Sequence, residues 1–485
     1  MLRHFFTLIG SLVAFLALAL PAQGAGPTMA LGAAEDIVRA PDLVTARAKM
    51  AQLRLAGFTA VRVTSNWLPG LTAPTTNELT VLKNVEAAAR LAGVKVYLSV
   101  YHPGSRTTPL EPTAQIEFAR YTAALATAIP SFDDVIVGNE PNLNRFWLPQ
   151  FGLNGTNASA PAYLQLLGRT YDALKAADPK LRVWGGALAP RGSDRPDGIR
   201  PTSSPTAFIQ AMGAAYRASG RTTPVMDGFA MHPYPDNSST SPDTANPRNT
   251  SIGLADYDKL VGLLGTAFDG TAQLGSTLPI IYDEFGIESI VPDGKRSLYS
   301  GNEPTTTKPV DESKQAAAYD LGLKLAFCQP NVAGILLFHS HDEEALPSWQ
   351  SGVYYADGTP KASLPAVRDA LDRARGGSLT KCEGLALGIV LKNVRFPGQA
   401  EFLKGKRDVR FRCSLDCAWE VVATRTTTGV QALRVRGYGR WGRPIVATLR
   451  NRSLGKAPVR LTLSVTHPVN PGTPVTRTSF VLRPV

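Results

Sequence analysis

Beyond its first 25 residues the chain has no apolar run approaching the roughly 20 residues that a membrane-spanning helix needs. No nucleic-acid-binding motif accompanies its net charge of +12. No Gly-rich phosphate loop follows the first strand-like stretch, TMALGAAE, as a dinucleotide-binding open sheet would require. That stretch also has no His-x-His pair, which argues against a metal-dependent hydrolase barrel. Charged residues make up only 19% and hydrophobic ones 44%, so the chain is neither disordered nor fibrous and has ample material for a large core.

The first residues differ from the rest. MLRHFF is short and basic, FTLIGSLVAFLALAL is apolar but too short to span, and PAQGAG supplies small residues. Residues 1–25 therefore read as a signal peptide cleaved near Gly24 or Ala25, and the mature protein is expected to be soluble and secreted. Cysteine is scarce, at four residues. In an oxidising compartment they are expected to form disulfides, and three pairings are open. Cys413–Cys417 with Cys328–Cys382 is the favoured one, with a free buried thiol at Cys328 as the alternative.

Charge divides the chain in two. From Lys381 to Val485, 19 Lys and Arg stand against 5 Asp and Glu, a net +14, which leaves about −2 for everything before. Between about Met29 and Arg375, short β-branched apolar runs alternate with Ala- and Leu-rich stretches of helical period. Eight such strand–helix pairs imply parallel strands with right-handed crossovers, hence an α/β fold of the (β/α)₈ TIM-barrel type over residues 26–375. A doubly wound open sheet is the alternative. After a linker at 376–384 the helical period stops. Six alternating runs from DVRFRCS to TRTSFVLRP predict a small all-β, immunoglobulin-like sandwich over 385–485.

The tetrapeptide Gly-Asn-Glu-Pro occurs twice, at 138–141 and 301–304. The first copy follows DDVIV, so Glu140 stands at the C-terminal end of the fourth strand, on the face where such barrels place their active sites. The second lies in a Ser-, Thr- and Pro-rich loop, where Glu303 reads as a solvated surface residue. A partner for Glu140 comes from PIIYDEFG, which ends the seventh strand with Asp283 and Glu284. Strict alternation would put these two on opposite sides of the strand. Two carboxylates flanking one point are what glycosidic cleavage requires, one to protonate the leaving oxygen and one to attack the anomeric carbon or activate water.

With GNEPN ending strand four and YDEFG ending strand seven, the stretch from about Met29 to Arg375 resembles clan A glycoside hydrolases, which include the cellulase-like family 5 and the xylosidase-like family 39. The run NEPNLNRFW followed by AYLQLL looks more like family 39. The resemblance implies that Glu140 is the acid/base and Glu284 the nucleophile, with Asp283 structural. It implies that Arg62 in VRVTSNW lies near the nucleophile, that Asn139 binds the sugar 2-hydroxyl, and that His232 and Tyr234 in MHPY face the site, Tyr234 bonding the nucleophile. Gly138 departs from the aromatic that many relatives carry there. Phe338-His339 replaces the Trp that often ends strand eight, and Trp349 is a candidate substitute platform.

Plainer readings stand beside these. Arg62 could be a core ion pair, His232 a satisfied interior histidine, and Trp67 and Trp147 packing rather than sugar platforms. His339 and His341, at i and i+2, could with His102 and His232 surround a divalent ion, although no metal is favoured. The expectation is a secreted retaining glycosidase that needs no cofactor and acts on an oligo- or polysaccharide, with His102 and His339 also lining the substrate site. The alternative is a non-catalytic carbohydrate-binding or surface-attachment protein on the same barrel. The basic sandwich would meet an anionic polymer or cell-surface glycan, or serve only as a spacer. Neither nucleic acid nor a membrane span after cleavage is expected.

Overall fold

The computed structural model describes residues 26–380, 391–404, 407–413, 417–439, 443–450, 458–466 and 476–482. The expected signal peptide, Cys382 and residues 381–384 of the expected linker lie outside them. Strand and helix alternate eight times. The strands are β1 (Ala30–Ala34), β2 (Ala60–Asn66), β3 (Lys95–Tyr101), β4 (Asp134–Val137), β5 (Arg182–Leu188), β6 (Gly228–Met231), β7 (Ile280–Phe285) and β8 (Val332–Leu337). They are followed in turn by α1 (Leu43–Leu55), α2 (Thr76–Ala92), α3 (Pro112–Ala128), α4 (Ser159–Ala177), α5 (Pro205–Ala218), α6 (Tyr257–Phe268), α7 (Glu312–Phe327) and α8 (Leu364–Arg375). All strands are parallel and close in chain order, β1 pairing with both β2 and β8. The open-sheet alternative is thereby ruled out.

Both faces of every strand are covered, which is why the strands read as near-continuous apolar runs. Ala60, Tyr97, Ile136, Trp184, Ala230, Ile281 and Leu336 form a buried cluster of their own inside the barrel, apart from the larger core between strands and helices. Trp184 fills much of that interior because Gly228 faces it; a Cβ there would meet the indole at 2.3 Å. Helix starts follow the capping rules. Asp42, Thr75, Ser204 and Asp311 each accept a backbone N–H from the first turn of α1, α2, α5 and α7. α2 stops at Gly93, whose φ of 64° is the left-handed stop that glycine allows.

The connections after the strands are long at β4, β6, β7 and β8 (138–158, 232–256, 286–311 and 338–363), while the return connections 56–59 and 93–94 are short. The C-terminal face of the barrel therefore carries the variable structure. Its firmest element is a buried ion pair in the β8–α8 connection. Lys361 Nζ lies 2.7 Å from Asp342 Oδ1, and neither side chain is exposed. Nζ also donates to Ser289 Oγ and the Gln350 carbonyl, while Asp342 accepts from Tyr299 and the Gly352 amide. Gln350 follows Trp349 directly.

Among the described residues beyond 390 every element but one is β. β9 (Leu391–Arg395), β10 (Asp408–Cys413) and β13 (Ile445–Thr448) form one sheet; β11 (Cys417–Arg425), β12 (Gln431–Gly439), β14 (Val459–Thr466) and β15 (Thr476–Leu482) form the other. A two-turn-or-shorter helix, α9 (Gln399–Leu403), and the strand β9 are additions to the expected six runs. β9 shows no alternation, with its residues exposed or half-buried, so it carries no period-two signal. The expected Cys413–Cys417 disulfide is present and joins the two sheets, since β10 and β11 belong to different ones. Cys328 is disulfide-bonded rather than free. No helix among the described residues is long and apolar enough to cross a membrane.

Removing one half of a fully buried ion pair leaves the other charge unmatched, at a cost of about 3–5 kcal/mol. Lys361→Met should therefore destabilise the barrel by an amount in that range in urea unfolding. Lys361→Met with Asp342→Leu should restore much of the loss, because no charge then stays buried. Equal unfolding midpoints for the single variant and the parent would show the pair to be energetically idle.

Candidate active site

Four strand ends build one buried cluster of charge. Arg62 from β2 is 4% exposed and cannot shed its proton, so it must be matched. Its Nη1 donates to Glu284 Oε1, and its Nη2 donates to Asn139 Oδ1 at 2.9 Å and Ser99 Oγ at 3.1 Å. Tyr234, after β6, donates its hydroxyl to the other oxygen, Glu284 Oε2, at 2.8 Å. His232, at the end of β6 and fully buried, places Nδ1 3.0 Å from Glu140 Oε1 and 3.3 Å from Glu284 Oε2. Its Nε2 lies 3.4 Å from Asp283 Oδ2.

The electrostatics follow from these contacts. Burial alone lowers the pKa of His232, but the carboxylates of Glu284 and Asp283 outweigh it and push it up to about 10. Burial alone would raise the pKa of Glu284, yet His232 and Arg62, with hydrogen bonds from Arg62 and Tyr234, hold it below its ordinary value. Glu284 is thus kept as the anion although it is 8% exposed. Burial, then the neighbouring Glu284, keeps the Tyr234 phenol protonated and so a donor.

Asp283 corrects the expectation from alternation. It does not stand on the far side of the strand from the cluster: its Oδ2 also lies 3.6 Å from Arg62 Nε. Ile281 belongs to the barrel interior, and two residues on Asp283 points the same way. Glu284 joins it because the β7–β8 register slips between Tyr282 and Phe285, which breaks the alternation there.

Backbone geometry sets Glu140. Its φ is 42°, a left-handed conformation unusual outside glycine and tolerated where function requires it. Its amide donates to the Ala187 carbonyl at 2.8 Å. Ala187 itself sits at φ 46° beside Gly186 at 98°, in the irregular end of β5. Tyr163, fully buried on α4, ties the two strand ends together by donating to the Val137 carbonyl at 2.7 Å and accepting from the Gly186 amide at 2.7 Å. Its ring explains Gly138, since a Cβ there would meet it at 2.8 Å with φ at 87°. Sequence reasoning missed Ser99 and Tyr163. A lone serine inside VYLSVY was the available signal for the first, and a tyrosine on a helix face gave none for the second.

The remaining expected residues divide. Trp349 lies with its ring 4.9 Å from Tyr234 and 5.2 Å from Phe338, half-exposed beside the cluster. His339 donates Nδ1 to the Ala34 carbonyl at 2.6 Å and places Nε2 3.3 Å from Glu343. Burial lowers its pKa, but Glu343 and Glu35 raise it to about 9. Glu343 in turn donates its amide to the Trp349 carbonyl, so His339 touches the platform loop and not the carboxylate pair. His102 bonds the Gly104 carbonyl and packs edge-on against Trp147, and among the described residues no contact joins it to the pair. Trp67 and Trp147 are core residues, buried against Phe118 and Tyr163.

One alternative reading and one further expectation are corrected. Both histidines lie beyond the end of β8, so strand alternation does not govern them. His341 stacks on Tyr354 and bonds Ser340, and therefore does not converge with His339 on an ion. Glu303 is half-buried, not solvated; its Oε1 is out of solvent without a partner, and burial raises its pKa.

Glu140, His232 and Glu284 each offer one atom within 4.8 Å of the others, close enough to consider a divalent ion. Both oxygens of Glu284 are, however, already taken by donors, Arg62 and Tyr234. An arginine at that carboxylate repels a cation, so the set suits a protonated imidazole better than a metal.

No family model matches the chain, and no curated protein does. Solved structures similar to it include glycoside hydrolases. A Bacteroides uniformis β-glucuronidase aligns at 12% identity over 96% of this chain and 47% of its own, with a TM-score of 0.44. GH5_18 from Streptomyces cattleya in complex with GlcNAc aligns at 18% identity over 72% of this chain and 81% of its own, with a TM-score of 0.49. A GH5-4 broad-specificity endoglucanase from Clostridium longisporum aligns at 13% identity over 73% of this chain and 99% of its own, with a TM-score of 0.45. The chain spans just under half the length of the β-glucuronidases it matches. At such identities nothing about substrate passes from those proteins to this one.

The raised pKa of His232 makes a pH prediction with a definite sign. A group whose pKa is raised on folding contributes stability fully below its unfolded value, here 6.5, and loses it as pH climbs through the folded value of about 10. The stability difference between the parent and His232→Gln should be largest, a few kcal/mol, below about pH 6.5 and should shrink steadily toward pH 10. Urea unfolding across that range measures it. A difference independent of pH would show that His232 is neutral in the folded protein.

Proposed function

We propose that the chain is a retaining glycosidase acting outside the cell on an oligo- or polysaccharide. The observation that carries this is the approach of Glu140 and Glu284, with carboxylate oxygens within 4.8 Å of each other from the ends of β4 and β7. Double displacement needs carboxyls about 5–5.5 Å apart, whereas inversion needs about 6.5–9.5 Å to admit a water.

The roles follow from the surroundings. Glu284, anionic and oriented by Arg62 and Tyr234, attacks the anomeric carbon. The bond from that carbon to the leaving oxygen breaks as Glu140 gives that oxygen its proton. A glycosyl ester on Glu284 results. Glu140 then takes a proton from water, the water oxygen attacks the same carbon, and the carboxylate of Glu284 is released. Esterification removes the negative charge of Glu284 beside His232, so the second step begins with one anion fewer around the imidazole. Asn139 has its Oδ1 engaged by Arg62, a pure donor, so its amide nitrogen remains to donate to the sugar 2-hydroxyl. Trp349, half-exposed and backed by Tyr234, offers aromatic surface for the apolar face of a sugar ring. A transglycosylase would use the same groups, with a sugar hydroxyl replacing water, and product analysis separates the two.

Glu140→Gln should lower kcat/KM on glycosides with poor leaving groups by about 10²–10⁴, because the general acid is lost. Aryl glycosides with good leaving groups should suffer less in the first step. Glu303→Gln should retain the parent's activity, since Glu303 contacts Thr307 and lies near Glu288 rather than the pair. Comparable losses in both variants would reject the assignment of Glu140. No turnover of any aryl glycoside by the parent would favour the binding-protein alternative.

The initial product, followed by proton NMR before mutarotation, should keep the anomeric configuration of the substrate. Activity should be indifferent to chelators. An inverted product would overturn double displacement, and loss of activity on chelation would restore the metal reading.

A further inference from the structure

The outer face of the four-stranded sheet is unusual for its charge. Cross-strand pairing places Arg436, Glu420, Ser464 and Arg477 in one row across β12, β11, β14 and β15. The next row toward the end of the sheet holds Tyr438, Ala418 and Thr466. Alternation leaves Trp419 and its partners Gly437 and Val465 on the inner face, so the row residues face outward. A cleft of about 450 Å³ opens over these two rows. Tyr438 is 82% exposed in it, far beyond what packing explains.

Glu420 is the only acidic residue in the four strands, against Arg434, Arg436, Arg460 and Arg477 on the same face. It orders the basic groups more than it cancels them. Arg436 donates Nε to Glu420 Oε2 at 2.7 Å, which leaves both terminal nitrogens of its guanidinium for a ligand. Arg434 reaches the same oxygen at 3.4 Å. Neighbouring rows on one face lie about 7 Å apart and neighbouring strands about 4.8 Å. Arginine forks, an exposed aromatic ring and two hydroxyls, Ser464 and Thr466, therefore converge within the span of one or two sugar units.

We infer that this cleft binds an acidic polysaccharide, a pyranose resting on Tyr438 with its anionic substituent held by Arg436 and Arg477. The chemistry favours such a ligand over other polyanions. Arginine forks match planar or tetrahedral oxyanions bidentately, and hydroxyls serve the neutral positions of a sugar. A single-stranded nucleic acid would need a series of aromatics for successive bases, and the outer face of these strands has Tyr438 alone. An acidic lipid surface would need a cluster of protruding apolar side chains, and the charged rows hold only two large ones, Val422, which is half-buried, and Val481 beside Arg460. The site lies apart from the barrel cluster, so it stands whether or not the barrel is a glycosidase.

The test uses the full chain carrying Glu140→Gln, so that cleavage cannot interfere, with polygalacturonate for a carboxylated ligand and dextran sulfate for a sulfated one. Titration should show binding to at least one of them that weakens as salt rises, because exposed charges are screened over about 8 Å at physiological ionic strength. Tyr438→Ala with Arg477→Ser should weaken it by about tenfold or more, whereas Tyr438→Phe, which keeps the ring, should stay within about threefold of the parent. Which polymer responds to these substitutions identifies the anionic group. The inference is overturned if neither polymer binds, if the double variant binds as tightly as the parent, or if single-stranded DNA or anionic vesicles bind the parent more tightly than both polymers at the same salt.

Discussion

Everything at the barrel mouth depends on how two buried cations are matched by carboxylates. Arg62 and His232 sit between Glu140, Asp283 and Glu284, and none of these groups reaches its partners from the same strand. Charges out of water are costly unless geometry and hydrogen bonds are close to ideal. A closed barrel provides that because its strand ends cannot move independently. β2 delivers the guanidinium, β6 the imidazole, and β4 and β7 the carboxyls, each fixed by pairing to its neighbours. Asp283, fully buried, takes part of the positive charge of both cations, which leaves Glu140 as the carboxylate with the fewest fixed partners.

The backbone adapts to this arrangement in two places. At β7 the register slips so that two consecutive acidic side chains both turn toward the cluster. At β5 a left-handed residue, Ala187, presents its carbonyl to the amide of Glu140, which is itself left-handed. Tyr163 spans the gap between these strand ends, and Gly138 exists to admit its ring. The Gly-Asn-Glu-Pro motif is therefore not a sequence preference alone. Its glycine makes room, its asparagine accepts from Arg62, and its glutamate is turned by the β5 carbonyl.

Much of this was legible in the sequence because it is periodic. Eight apolar runs alternating with helical ones predicted the barrel, and position at a strand end separated Glu140 from Glu303. The proximity of Arg62 and Tyr234 to Glu284, implied by resemblance, is found in the hydrogen bonds. What stayed hidden is what breaks periodicity. Asp283 and Glu284 were put on opposite sides of the strand because the register slip that brings Glu284 round beside Asp283 leaves no mark in the residue pattern. His339 and His341 were treated as strand neighbours although β8 had already ended at Leu337. Glu303 looked solvated because a polar loop sequence does not reveal that the loop packs back on Glu288. β9 escaped because it buries neither face fully and so does not alternate.

Glu303 and Glu288 lead to the second place where the molecule uses buried charge. Burial, and then Glu303 and Asp342 nearby, raise the pKa of Glu288 to about 7. Its Oε2 faces the Gln350 amide at 3.4 Å, and the Gln350 side chain donates to the carbonyls of Glu343 and Ala345. Lys361, paired with Asp342, holds the Gln350 carbonyl from the other side. Trp349 is the residue before Gln350, and its own carbonyl accepts from Glu343. A long loop would ordinarily be free to move, yet this one is pinned on both sides of its half-exposed tryptophan by buried polar groups. The aromatic surface beside the carboxylate pair is consequently part of a rigid wall, held by the same means as the pair itself: charge kept out of water and matched from several loops at once.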